Sequence, residues 1–355
     1  MLSIIAIQVM PVITMDSIIR AKYYQSVFIL STLSFAINLI LSYNRRGMSF
    51  RIALTNVLVM LLYIVPGFII CKMKKASAEH LSSMSAVLVY ILSPCMIVNS
   101  FLQLDFSWKG FGKMALFFAV TFILQIAFML ITYLICRKKY EDSKYRVLTI
   151  GSVLGNVGFF GLPLVKAILP DNPEVLCYSS MYVLSMNIIV FTMGVFCLTN
   201  DKKFRTIKAA IFNPTTFGIA VALPLYFFGV KQYMPTPLTD CISLLSSMTT
   251  PLCMIILGIR LATVPFKRIF TNPIIYLICA CKLIIFPLFC YFAVYFIPLE
   301  FSFKASILIL SSVPCASVIL SLAEIHHSET ELAANCVLLS TLMCFITIPL
   351  LVLIL

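Results

Sequence analysis

Ten apolar runs, each near the length that crosses a bilayer, follow one another along this chain with only short polar loops between them. They cover about 52–71, 81–102, 112–136, 147–169, 175–199, 214–230, 238–261, 273–298, 305–325 and 331–354. At 1.5 Å per residue such runs span the hydrocarbon layer, where main-chain groups must find their hydrogen bonds within the protein. The expected fold is therefore all-α and integral to the membrane. Of 355 residues, 61% are hydrophobic and 11% charged, and mean hydropathy is +1.06. The net charge of +13 does not point to nucleic acid, because the basic residues sit in the short loops rather than on one soluble face.

The fourth run carries Gly155-Asn156-Val157-Gly158-Phe159-Phe160-Gly161-Leu162-Pro163 at its middle. Proline removes an amide donor and crowds the carbonyl four residues back, which predicts a partly unwound backbone at membrane depth. Such backbone is tolerated beside a cavity or packed protein, and transporters use it to hold substrates. Taken alone, a proline of this kind is better read as a simple kink. The ninth run, however, reads Ser311-Ser312-Val313-Pro314-Cys315-Ala316-Ser317. Two interruptions at matching places favour a binding site over two unrelated kinks.

They match because the chain repeats itself. Ser93-Pro94 recurs as Thr250-Pro251, Leu184-Ser185 with Thr192 as Leu339-Ser340 with Thr347, and Pro66 as Pro224, at offsets of 155 to 158 residues. Two five-span halves follow, 48–200 and 213–355, joined by a linker over 201–212. Five is odd, so the halves lie in opposite orientations, an inverted repeat. Asn213-Pro214 and Asn272-Pro273 predict capped helix starts. Fifteen basic residues fall in one set of loops and five in the other, which assigns the first set to the cytoplasm and both ends of the ten-span unit to the outside. Residues 1–47 stay open among an extra membrane helix over 26–43, a signal-like anchor and a start placed before Met48.

Asn156-x-Gly158-Phe159-x-Gly161-x-Pro163, with Asn213-Pro214, Thr250-Pro251, Gly258-x-x-Leu261-Ala262, Pro314 and Thr347-x-Pro349-Leu350, closely resembles the auxin efflux carrier family, in particular its bacterial malate or malonate permease-like members. The resemblance runs from Met48 onward. It implies ten transmembrane helices as two inverted five-helix repeats, with broken helices four and nine crossing at their breaks. It further implies a scaffold of spans one, two, six and seven beside a mobile transport unit working as an elevator in the bacterial plasma membrane. The long cytoplasmic loop of the plant carriers is missing, which argues against auxin itself.

Polar groups inside a membrane are costly and mark function. The candidates for binding substrate are Asn99, Asn156, Gly158, Gly161, Pro163, Ser311, Ser312, Pro314 and Lys282, with Asn187 read as a helix-to-helix hydrogen bond. Lys282 is either a counter-ion for an anionic substrate or a cation paired with carbonyls at a helix break. No span has a central Asp or Glu, since Asp240 and Glu324 lie near span ends, so a small organic anion, most simply a carboxylate, is expected as substrate. The bilayer is the other expected partner, and a homodimer is left open. Channel and sensor are the alternatives, with a membrane enzyme behind them. His80, His326 and His327 lack metal-site spacing, and the thirteen cysteines include no C-x-x-C pair, so neither metal, cofactor nor disulfide framework is expected.

Overall fold

The computed structural model describes residues 48–199, 214–263, 272–325 and 329–355. Residues 1–47, the 201–212 linker, Asn213 with its expected capping role, and His326 and His327 lie outside the described residues. The helices below all belong to one unit, Met48–Leu355.

In chain order they are α1 (Phe50–Lys72), α2 (Ala78–Leu102), α3 (Trp108–Lys139), α4 (Ser143–Gly151), α5 (Val157–Ile168), α6 (Glu174–Cys197), α7 (Pro214–Phe227), α8 (Thr236–Thr263), α9 (Pro273–Tyr295), α10 (Phe301–Ser311), α11 (Ser317–Ile325) and α12 (Thr330–Val352). Seven of them, α1, α2, α3, α6, α8, α9 and α12, are long and apolar enough to cross a membrane. Among the described residues there is no β-strand, only one isolated bridge. The runs expected at 147–169 and 305–325 each form two short helices. The run expected at 214–230 stops being helical at Phe227, and Gly229 follows with φ +58°, a left-handed conformation that glycine adopts without strain and that ends helices.

Local sequence explains most of these shapes. Asn272 Oδ1 accepts from the Ile274 amide at 3.2 Å with Pro273 in the first turn, as its spacing predicts. Ser107 Oγ caps α3 by accepting from Gly110 N–H. Four helices contain a widened π turn, at Leu88–Leu92, Val157–Gly161, Val190–Gly194 and Cys281–Ile285. Three of the four end two residues before a proline: Pro94, Pro163 and Pro287. The extra residue in such a turn moves the preceding carbonyl away from the proline ring, so the helix widens instead of snapping.

Packing is tightest where α1 meets α8. A Cβ on Gly67 would lie 2.1 Å from Ile255 O, and one on Gly258 2.1 Å from Ile64 O. Each helix therefore sets a glycine against the backbone of the other, as small residues allow between membrane helices. α7 lies on α2, with Gly218 over Pro94. α3 lies on α6 through the stacked rings of Phe117 and Tyr178, 4.6 Å apart. The same pair shares a buried polar link, Gln125 Nε2 donating to Ser185 Oγ at 2.8 Å. The second half of α9 packs on α10, and α11 on α12.

Candidate functional site

Helix termini leave amides and carbonyls without intrahelical partners. At the gap between α4 and α5, and at that between α10 and α11, these groups find each other. Gly155 faces Cys315 in an antiparallel bridge, flanked by Asn156 N–H donating to Pro314 O at 2.8 Å and Ala316 N–H donating to Leu154 O at 3.0 Å. In this register the amides of the facing pair point away from the bridge, and that of Cys315 donates to Ser340 Oγ on α12 at 3.0 Å. Asn156 itself makes a tight turn (φ −76°, ψ 56°), with Val157 N–H donating to Gly155 O at 2.8 Å, the geometry of an inverse γ-turn. Pro163 cannot donate to Phe159 O four residues back, and Thr250 Oγ1 of α8 donates there instead, at 2.9 Å.

A cavity of 150 Å³ opens beside this crossing and is lined by Ser93, Gly155, Asn156, Gly158, Asn187 and Ser317 among others. Asn156 is only 5% exposed. Its amide nitrogen stands 3.9 Å from Cys253 Sγ, a weak contact that a better acceptor would displace. Met96 forms a wall shared with a second cavity of 340 Å³, lined by Asn56, Asn99, Pro163, Lys166, Ser246 and Thr250 among others. Lys166 is its one charged lining residue. A third cavity, of 680 Å³, lies between α2, α8, α11 and α12 and includes Arg260 and Glu331.

The nine residues singled out from sequence thus divide. Asn156 and Gly158 line the crossing cavity, while Asn99 and Pro163 line the Lys166 cavity. Pro314 contributes its carbonyl to the crossing. Gly161 is buried against Leu310 and Val313. Ser311 and Ser312 are buried and turn their hydroxyls back to their own helix, onto Ile307 O and Ile309 O. Lys282 is wholly buried, donates to Ser311 O at 2.6 Å and lies over the Phe286 ring at 4.8 Å. A Cβ on Gly155 would lie 2.9 Å from its ammonium nitrogen, so Lys282 backs the crossing and lines neither cavity. Asn187, read from sequence as a helix contact, lines the crossing cavity. Lys166 was missed, although its signal was present: a charge inside an apolar run, one turn beyond Pro163.

Seven helices long and apolar enough to cross a bilayer, packed around cavities at their core, define a multi-pass membrane protein. The chain belongs to the membrane transport protein family, that of the auxin efflux carriers, whose model matches residues 52–210 and 199–352. An uncharacterized transporter of Methanothermobacter thermautotrophicus is 25% identical over 308 residues, covering 83% of this chain and 96% of the relative. Another, from Methanocaldococcus jannaschii, is 25% identical over 306 residues with the same coverage.

Proposed function

We propose that this protein is a secondary transporter that moves small organic anions, carboxylates above all, across the cell membrane by alternating access of an elevator type. In this reading ten membrane spans form two inverted five-helix repeats, 48–200 and 213–355, with α4/α5 and α10/α11 as the broken fourth and ninth spans. The observation that carries it is the hydrogen-bonded meeting of residues 154–156 and 314–316 beside a cavity that holds the Asn156 amide. Amide and hydroxyl donors at such a place suit carboxylate oxygens. The Lys166 cavity has no Asp or Glu among its described lining residues, so it favours an approaching anion. α1 packs on α8, α8 on α2 and α2 on α7, while α1 also packs on α12 and α5 and α2 touches α6. In this reading α1, α2, α7 and α8 are the scaffold, and their contacts with the others are the surface along which a moving unit travels.

The test is uptake of labelled malate or malonate into vesicles containing the purified protein. Saturable uptake that falls at least tenfold in Asn156→Ala is expected, a tenfold loss being about 1.4 kcal/mol of lost binding. Uptake rising linearly with concentration would indicate a channel. Flux of a cationic substrate with none for any carboxylate would overturn the anion reading.

A further inference from the structure

A cavity of 550 Å³ between α3, α4 and α6 takes no part in the crossing. Its lining changes in character along α3. Ile126, Met129 and Leu130 give an apolar floor, and Tyr133 and Tyr140 stand at the rim with rings edge to face, 4.8 Å apart at 87°. Tyr140 donates its hydroxyl to Cys197 Sγ at 3.0 Å, which ties the rim to α6. The floor is continuous with a surface that water does not favour, since Leu130, Ile131, Leu134 and Ile135 are all exposed. The opening therefore faces lipid. Met129 and Met193, from opposite walls, are flexible enough to close on a chain of irregular shape.

The rim adjoins a basic turn. Arg137, Lys138 and Lys139 form the exposed last turn of α3, and Lys144 stands nearby in sequence. Glu141 and Asp142 oppose them, but Asp142 Oδ1 is engaged as the cap of α4, accepting from Lys144 N–H. Lys139 turns to Tyr145, and Arg146 is held by the carbonyls of Tyr140 and Glu141. Arg137 and Lys138 have no ion-pair partner among the described residues. Tyrosines sit at the level of lipid headgroups, and basic pockets at helix ends recruit anionic ones.

We propose that this cavity holds an acyl chain of an anionic phospholipid whose headgroup phosphate lies on Arg137 and Lys138. A zwitterionic lipid would fill the apolar floor equally well but gain little from the rim. The site serves the leaflet at the end of α3, whichever side of the membrane that is, and does not depend on the transport reading.

The test uses the full chain, purified and stripped of lipid in detergent, with phosphatidylglycerol or phosphatidylcholine of identical chains added back. Native mass spectrometry counts bound lipid, and thermal unfolding reads its effect. Phosphatidylglycerol should bind one per chain, roughly tenfold more tightly than phosphatidylcholine, and raise the Tm. The double variant Arg137→Gln/Lys138→Gln should erase that preference. Met193→Trp, which narrows the cavity from the α6 side, should weaken lipid binding while unfolding normally without lipid; Leu130→Trp, from the α3 side, serves if that chain does not fold. Equal binding of the two lipids, a preference kept in the double variant, or undiminished lipid binding in the Trp variant that folds would each overturn the proposal.

Discussion

Lys282 Nζ donates to the carbonyl oxygen of Ser311 at 2.6 Å, so the single charge of α9 neutralises the C-terminal end of α10. Carbonyls crowd a helix C-terminus and give it partial negative charge, which a cation stabilises. The ammonium also lies against Gly155, and thereby holds one side of the crossing in place.

Lys282→Ala should therefore lower stability. A hydrogen bond from a charged group contributes about 1.5–3 kcal/mol, and the vacated stem adds a packing loss. Lys282→Met restores the volume but not the donor, and should recover only part of the difference. Thermal unfolding in detergent measures both variants. An alanine variant as stable as the parent would show that Ser311 O needs no partner there.

Ser340→Ala removes the hydroxyl that accepts from the Cys315 amide. A buried amide left unpaired costs about 1–3 kcal/mol. The variant should unfold at lower temperature and, since Cys315 faces Gly155, take up substrate more slowly. Unchanged unfolding would mean that another acceptor moves in.

Gly67→Ala places a methyl group 2.1 Å from Ile255 O, which is backbone and cannot rotate away. Overpacking of this kind costs about 1–3 kcal/mol, at the upper end where backbone must move. Gly112 in α3 has nothing within 4 Å of a built Cβ, and Gly112→Ala should gain up to about 1 kcal/mol from helix propensity. The two variants compared by thermal unfolding separate steric contact from propensity.

Orientation is open to direct labelling. Cys241 is exposed and Cys71, Cys95 and Cys281 are half-buried, so replacing these four with Ser gives a quiet background. In that chain Asp171→Cys should react with a membrane-impermeant maleimide in intact cells, and Lys138→Cys only after lysis. The opposite pattern would invert the topology drawn from the loop charges.

Much of this was legible in the sequence. Apolar runs gave the helical membrane class, and Gly155 to Pro163 with Ser311 to Ser317 marked the two stretches whose main chains meet. Side-chain direction was not legible. Ser311 and Ser312 look like ligands in a string of letters, but within a buried helix the nearest acceptors are carbonyls three and four residues back, and both hydroxyls go there. Asn187 runs the other way, from presumed helix contact to cavity wall. Lys282 offered two roles until its distance to Ser311 was known. The π turns leave a sequence trace only in the prolines that follow three of them.

The contact of α1 with α8 has a mechanical meaning. Where backbone meets backbone through paired glycines, no side chain intervenes to bend, so these two helices cannot slide past each other and behave as one beam. A slip plane needs surfaces that deform cheaply. Met60 and Met96, on the wall that α1 and α2 turn toward α5 around the Lys166 cavity, are of that kind: long, unbranched and tolerant of a changing neighbour. In the elevator movement proposed above, displacement between the beam and the helices of the crossing would run along this methionine-lined seam.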